Sequence, residues 1–250
     1  MSVAGIAVIT GASRGIGAAC ARKAAAAGWD VALSYLANAD LAEEVAEAVR
    51  AEGGRALAVQ ADMAVEADIL RLFETVDREL GTLGVLVNNT GITGGFARVA
   101  EVSGDTVRRV MDTNVTGTIL CCREAVRRLS TQHGGAGGVI VNLSSGAAFT
   151  GSPDEYVYYA ASKGAVNALT VGLAREVAGE GIRVNAVAPG TTATDIHADA
   201  GRPDRPARVA SSLAIGRVAT PDEVAEAVVW LMSDSASYVS GAVLPVMGGA

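Results

Sequence analysis

Aromatic residues make up only 4% of the 250 residues, and the chain carries three cysteines and two histidines. An aromatic-poor chain rich in alanine and glycine suits close packing of helices on a sheet, not an aromatic-filled β-sandwich. Cys20, Cys121 and Cys122 show no CxxC spacing, and two histidines leave too few partners for zinc, so no metal centre is expected. The cysteines read as small buried hydrophobes of a reduced compartment. Neither charge sign forms a long run. With 20 basic and 27 acidic residues the formal charge is −7. That leaves no clustered basic surface for a phosphate backbone, so nucleic acid is excluded as a partner. No apolar run approaches the ~18 residues of a membrane span, so no membrane partner is expected. The opening Met1-Ser2-Val3-Ala4-Gly5 runs straight into a strand-like stretch without a basic and apolar leader. These features predict a cytoplasmic protein.

Half of the residues are apolar and 19% are charged, which is enough to bury a substantial core. Short apolar runs alternate with helical patterns almost from end to end. Strands are predicted at 5–10, 30–35, 56–60, 85–88, 139–143, 183–188 and 242–246, with helices over 15–28, 41–52, 67–80, 107–129, 158–179 and 222–233. Runs such as Val85-Leu86-Val87 are continuously apolar, as expected of strands covered on both faces. Regular β–α alternation implies a parallel sheet with right-handed crossovers, the doubly wound α/β fold. No internal repeat or long linker divides the chain, so residues 1–250 are expected to form one domain. The one long irregular segment, 189–217, is expected to be a substrate lid, mobile without ligand, with short helices near 194–197 and 207–213.

The first strand leads into Thr10-Gly11-Ala12-Ser13-Arg14-Gly15-Ile16-Gly17. Glycines let the backbone turn sharply and approach a pyrophosphate, while the following helix offers free N–H groups and a positive dipole end. Strand before and helix after make this a dinucleotide-binding candidate and not just a tight turn. Its spacing is GxxxGxG.

That spacing resembles the short-chain dehydrogenase/reductase family, and the likeness continues along the chain. Asn88-Asn89-Thr90-Gly91 is similar to the family's NNAG motif, with Thr90 in place of alanine. Asn114 stands where the family keeps an active-site asparagine. Ser144-Ser145 follows the fifth strand, Tyr159 and Lys163 match YxxxK, and Pro189-Gly190 with Thr194 match PGxxxT. Tyr238-Val-Ser-Gly and the closing glycines complete a resemblance over essentially the whole chain. It implies a Rossmann fold and a nicotinamide cofactor, together with a small carbonyl or alcohol substrate and a homotetramer or homodimer. It further implies cofactor contacts from Gly11, Ser13, Arg14, Gly15, Ile16 and Gly17, from Asn38, Asp62 and Met63, from Asn89, Thr90 and Gly91, and from Pro189, Gly190, Thr192 and Thr194.

NADP or NAD is decided by fewer residues. An acid at the end of the second strand would favour NAD and repel a 2′-phosphate. Here Ser34-Tyr35-Leu36-Ala37-Asn38 contains none, and Arg14 lies in the turn where NADP-preferring relatives carry a basic residue. NADP is therefore expected, with NAD possible because position 37 lacks a second cation. Arg14 also reads as a solvated surface charge, and Asp62 as an acid that precedes a helix.

Hydride transfer to a carbonyl leaves an alkoxide, so a neutral acid must stand beside the oxygen. A tyrosine serves if a neighbouring cation lowers its pKa of about 10. Tyr159 and Lys163 are four residues apart and share one helix face, whereas Tyr158 points away and Tyr156 lies about two turns, ~10 Å, off. By resemblance, Ser145 bonds the substrate oxygen, Lys163 also holds the nicotinamide ribose, and both Tyr159 and Lys163 touch the cofactor. Asn114, which begins or interrupts a helix, holds a relay water by the same resemblance, or serves only as a helix cap. Ser145 lies 14 residues before Tyr159, one more than in many relatives, which lengthens the loop between them.

The leading expectation is an NADP-preferring carbonyl reductase or alcohol dehydrogenase. A catalytically silent dinucleotide sensor is the competing class, but such proteins lose part of the four-residue set retained here. A sugar-nucleotide epimerase or dehydratase would resemble TGxxGxxG with a larger C-terminal region, and neither is present. Within the enzymes, 3-oxoacyl thioesters, sugars, steroid-like ketones and small ketones all stay open, since the segments that would touch substrate offer few cations.

Overall fold

In the computed structural model, which describes residues 5–250, the continuously apolar runs form strands buried on both faces. The strands are β1 (Ile6–Ile9), β2 (Asp30–Tyr35), β3 (Ala56–Gln60), β4 (Leu83–Asn88), β5 (Gly138–Leu143), β6 (Ile182–Pro189) and β7 (Val243–Val246). The absence of a leader was read from the chain start, of which residues 1–4 lie outside the described residues. The seven strands make one parallel sheet in the order β3-β2-β1-β4-β5-β6-β7. Strand order reverses between β1 and β4, and a crevice at such a reversal is where open α/β sheets take their ligands.

Helices cover both faces. Helices α1 (Gly15–Ala26), α2 (Ala39–Ala51) and, late in the chain, α10 (Pro221–Met232) pack one side through Ala19, Ala24, Val45, Val49, Val224 and Val228. Helices α3 (Glu66–Glu79), α5 (Gly117–Leu129) and α7 (Val157–Glu176) pack the other through Ile69, Phe73, Cys122, Leu129 and Ala174. The three cysteines are free and buried, as the composition predicts. Among the described residues no helix is long and apolar enough to cross a membrane.

The single helix expected over 107–129 is instead α4 (Gly104–Met111), a π turn at Asp112–Thr116, and α5. The wide turn reaims α5 and brings Asn114 to full burial. The Asn114 carbonyl accepts from Thr118 Oγ1 at 2.8 Å. Gly117 lets α5 seat directly on the backbone after β3, since a Cβ there would stand 2.1 Å from the Met63 carbonyl oxygen. A short α6 (Ala147–Thr150) follows β5. The long segment after β6 does carry two short helices, α8 (Ile196–Asp199) and α9 (Arg205–Ala210), each offset by about two residues from its expected place.

Candidate active site

The C-terminal edge of the sheet opens into a cleft of about 1290 Å³. At one end lies the start of α1. Gly11 and Gly15 hold φ of +63° and +58°, which L side chains rarely adopt. Arg14 precedes the helix in extended conformation and no side chain caps it, so the first N–H groups of α1 stay available to a ligand. A Cβ on Gly17 would sit 2.6 Å from the Gly11 carbonyl oxygen. Asn89 braces the turn by donating to the carbonyls of Thr10 and Gly11 at 2.9 and 2.8 Å. Both its side-chain N–H donors are therefore spent on the protein. The Thr90 hydroxyl oxygen, on the wall of the same cleft, is buried and has no partner. A glycine cradle, an uncapped helix start and an orphaned hydroxyl fit a polar anionic group, and a dinucleotide pyrophosphate is such a group.

Several expected contacts line the cleft but also serve the fold. Asn38 caps α2, accepting from Leu41 N at 3.0 Å. Asp62 closes its own turn by accepting from Ala64 N at 2.8 Å. Met63 buries its sulfur 3.7 Å from Cys121 Sγ. Thr192 is buried with its hydroxyl on the Gly190 carbonyl at 3.1 Å. Thr194 packs its methyl 3.3 Å from where a Gly15 Cβ would lie. Ser13, Ile16, Gly91, Pro189 and Gly190 also line the cleft. Arg14 is not simply solvated, because its guanidinium pairs with Asp195 and Asp199 from the segment after β6.

At the other end, α7 presents Tyr159 and Lys163 towards the tip of β5. Tyr159 is 8% and Lys163 4% exposed. Ser145 stands beside the Tyr159 hydroxyl, where it lowers a pKa that burial raises, and its Oγ accepts from Ala147 N at 3.1 Å. Both serines line the cleft, but the Ser144 hydroxyl is turned onto Asn167 at 2.5 Å, leaving Ser145 as the one beside Tyr159. Lys163 donates to the Leu143 carbonyl at 2.7 Å and stands 5.9 Å from the Tyr159 ring centre. Gly91 makes room for it, since a Cβ there would come within 3.1 Å of Nζ.

One sequence expectation needs correction. Lys163 was expected to draw the Tyr159 pKa down. Burial instead pushes the Tyr159 phenol up to about 12 and Lys163 down to about 8. The ammonium is turned onto a strand carbonyl, and burial is the largest influence on the phenol. Asn114, expected to hold a relay water or to cap a helix, also carries a structural role. Its side chain accepts from Ile92 N at 2.9 Å and donates to Ile92 O and Ser162 Oγ at 2.8 and 3.0 Å. It ties the loop after β4 to α7 from within the π turn.

Sequence reasoning also missed Tyr156, Arg205 and Glu155. Tyr156 precedes α7, with φ −162° and ψ 63°, so helical spacing does not apply to it. Its ring turns back to meet Tyr159 edge-on at 5.1 Å. The loop before it absorbs its length with Ser152 and Asp154 at positive φ, 45° and 60°. Arg205, from α9, lies over the Tyr156 ring at 5.6 Å and pairs with Glu155 at 2.7 Å. This end of the cleft therefore does hold a cation, delivered by a segment about fifty residues away in sequence.

A family model described as enoyl-(acyl carrier protein) reductase matches residues 11–250. The chain is 48% identical to the uncharacterized oxidoreductase YgfF of Escherichia coli K12, over 98% of this chain and 99% of that protein. It is 37% identical to glucose 1-dehydrogenase 2 of Bacillus subtilis 168, over 97% and 93%. Among solved structures it is similar to a short-chain dehydrogenase from Burkholderia cenocepacia J2315 in complex with NADP. That likeness has a TM-score of 0.88 and 35% identity, over 97% and 96% of the two chains. The parallel sheet, the glycine turn and the Ser–Tyr–Lys end of the cleft agree with these likenesses, and the chain belongs to the short-chain dehydrogenase/reductase family of NAD(P)-dependent oxidoreductases.

Proposed function

We propose that this protein is an NADP-preferring carbonyl reductase or alcohol dehydrogenase, with Tyr159 as its general acid and base. The observation that carries the reading is the buried Tyr159 beside Ser145 and Lys163 at the sheet edge, in the same cleft as the uncapped start of α1. Bound there, the nicotinamide supplies or accepts the hydride. The α1 N-terminus, Gly15, Ile16 and Thr90 would hold the pyrophosphate side, and Lys163 the ribose beside Tyr159. Arg14 would take the 2′-phosphate, a preference supported by the lack of acid at 34–38 and by the NADP in the Burkholderia structure. Ser145 orients the carbonyl oxygen, and Tyr159 gives that oxygen its proton as negative charge develops. The Lys163 ammonium and Ser145 then stabilise the phenolate left behind, until solvent returns the proton. Asn114 acts through position, by fixing the loop that carries Gly91.

Residues 1–250 act as one domain, in which 189–217 is a lid over the substrate end, in a cytoplasmic homodimer or homotetramer. Free buried cysteines support the reduced compartment. Exposed apolar side chains on the outer helices, Ile119 at 44% and Val157 at 40%, support the self-association. A panel of ketones, 3-oxoacyl thioesters, sugars and alcohols, followed at 340 nm with both cofactors, tests the reading. Turnover of at least one carbonyl–alcohol pair, faster with NADP(H), is expected. Tight cofactor binding with no turnover across the panel would favour a dinucleotide sensor.

A further inference from the structure

We propose that Asp195 and Asp199, two acids on the lid, set how strongly this protein prefers the phosphorylated cofactor by competing with its 2′-phosphate for Arg14. The inference rests on the reading above that Arg14 takes that phosphate. In the structure the Arg14 guanidinium is already engaged. It donates to Asp195 Oδ2 at 3.4 Å and to Asp199 Oδ2, 181 and 185 positions along the chain.

Three observations make this a discriminating device and not an incidental contact. First, the partners face each other across the mouth of the cofactor cleft, one on the phosphate turn and the others at the start of the lid. A phosphate that reaches Arg14 must displace the carboxylates or share the cation with them. Second, all three side chains are about half exposed, Arg14 at 49%, Asp195 at 64% and Asp199 at 53%. Pairs this wet are worth a factor of about 1.4 to 5 each in an equilibrium, so a phosphate dianion can exchange with them, though at some loss of affinity. Third, Arg14 and Asp195 also border a groove of about 420 Å³ between α1, α2 and the lid, where Glu44 and Asp222 outweigh Arg22. The fixed charge that a 2′-phosphate meets there is thus acidic except for the arginines.

The end of β2 carries no acid, so discrimination against the phosphate is supplied by the lid instead. Cofactor identity and lid attachment are then linked. NADH leaves Arg14 on the lid, while NADPH draws it away and leaves ties such as the pairs of Arg205 and Arg208 with Glu155. Linkage is reciprocal, so weakening the Arg14 tie must tighten NADPH.

The test is a fluorescence titration of NADPH and NADH against four proteins at fixed salt: wild type, Arg14→Ala, Asp195→Asn/Asp199→Asn, and the triple variant. We expect the double aspartate variant to bind NADPH about three- to tenfold tighter while its NADH affinity moves less than twofold. On the Arg14→Ala background the NADPH gain should fall below twofold. In wild type, hydrogen exchange at the amides of 195–200 should quicken with NADPH and not with NADH. No gain in the double variant, equal gains for both cofactors, or a gain that persists without Arg14 would each overturn the competition. If Arg14→Ala leaves the NADPH-to-NADH ratio at its wild-type value, the assignment of Arg14 to the phosphate fails, and the inference fails with it. An Arg14-dependent ratio with silent aspartates defeats the inference alone.

Discussion

At the scale of single residues, burial of two titratable groups sets the chemistry. Tyr159, pushed up to about 12 by burial, is a neutral phenol at neutral pH, the form that carries the proton to be donated. Lys163, pulled down to about 8, is still mostly charged at pH 7. Carbonyl reduction, measured as kcat/KM against pH, should therefore hold level through neutrality. It should fall as pH rises past about 8, where the ammonium that steadies the phenolate is lost. The same burial has a stability sign. The Lys163 pKa is lower folded than unfolded, so its charge disfavours the native state at pH 7, and that cost fades as pH rises from about 8 to its ordinary value. Lys163→Met should then gain about 1–3 kcal/mol in urea unfolding at pH 7, at 1.36 kcal/mol per pKa unit, while turnover drops at least a hundredfold. A loss of stability at pH 7 would contradict this account of the buried ammonium.

At the scale of elements, helices and strands were legible wherever apolar spacing was regular, and the exceptions have physical causes. The π turn at 112–116 was not legible, because Val107, Val110 and Leu120 keep a helical apolar rhythm on both sides of it. Directly after the turn, Gly117 seats α5 on the Met63 backbone, a contact that no local pattern encodes. Gly117→Ala should lower stability by at least about 2 kcal/mol, read from the urea midpoint, because the atom in the way is backbone and cannot step aside. An unchanged midpoint would mean that α5 slides freely and that the π turn is not held by this contact. Tyr156 escaped for a related reason, since a helical wheel was applied to a residue that precedes its helix.

At the scale of the whole molecule, the sequence disclosed both ends of the cleft but not what crosses it. The glycine turn, Ser145, Tyr159 and Lys163 are local motifs on strand and helix ends, and topology brings them together. The Arg14–Asp195 and Arg205–Glu155 pairs join residues 181 and 50 positions apart, beyond any spacing rule. The proposed assembly predicts a mass of two or four chains by light scattering at micromolar concentration. A monomer would leave Ile119 and Val157 without cover. The proposed lid predicts slow amide exchange over 189–217 only when cofactor and a substrate analogue are both bound. Exchange already slow and unchanged in the free protein would make the segment a fixed part of the wall. The central claim is that one cleft separates nucleotide binding from proton transfer, and Tyr159→Phe tests it most directly. The account predicts NADPH affinity within about twofold of wild type and carbonyl reduction reduced more than a hundredfold. Retention of more than about a tenth of kcat, a barrier change under ~1.4 kcal/mol, would contradict it.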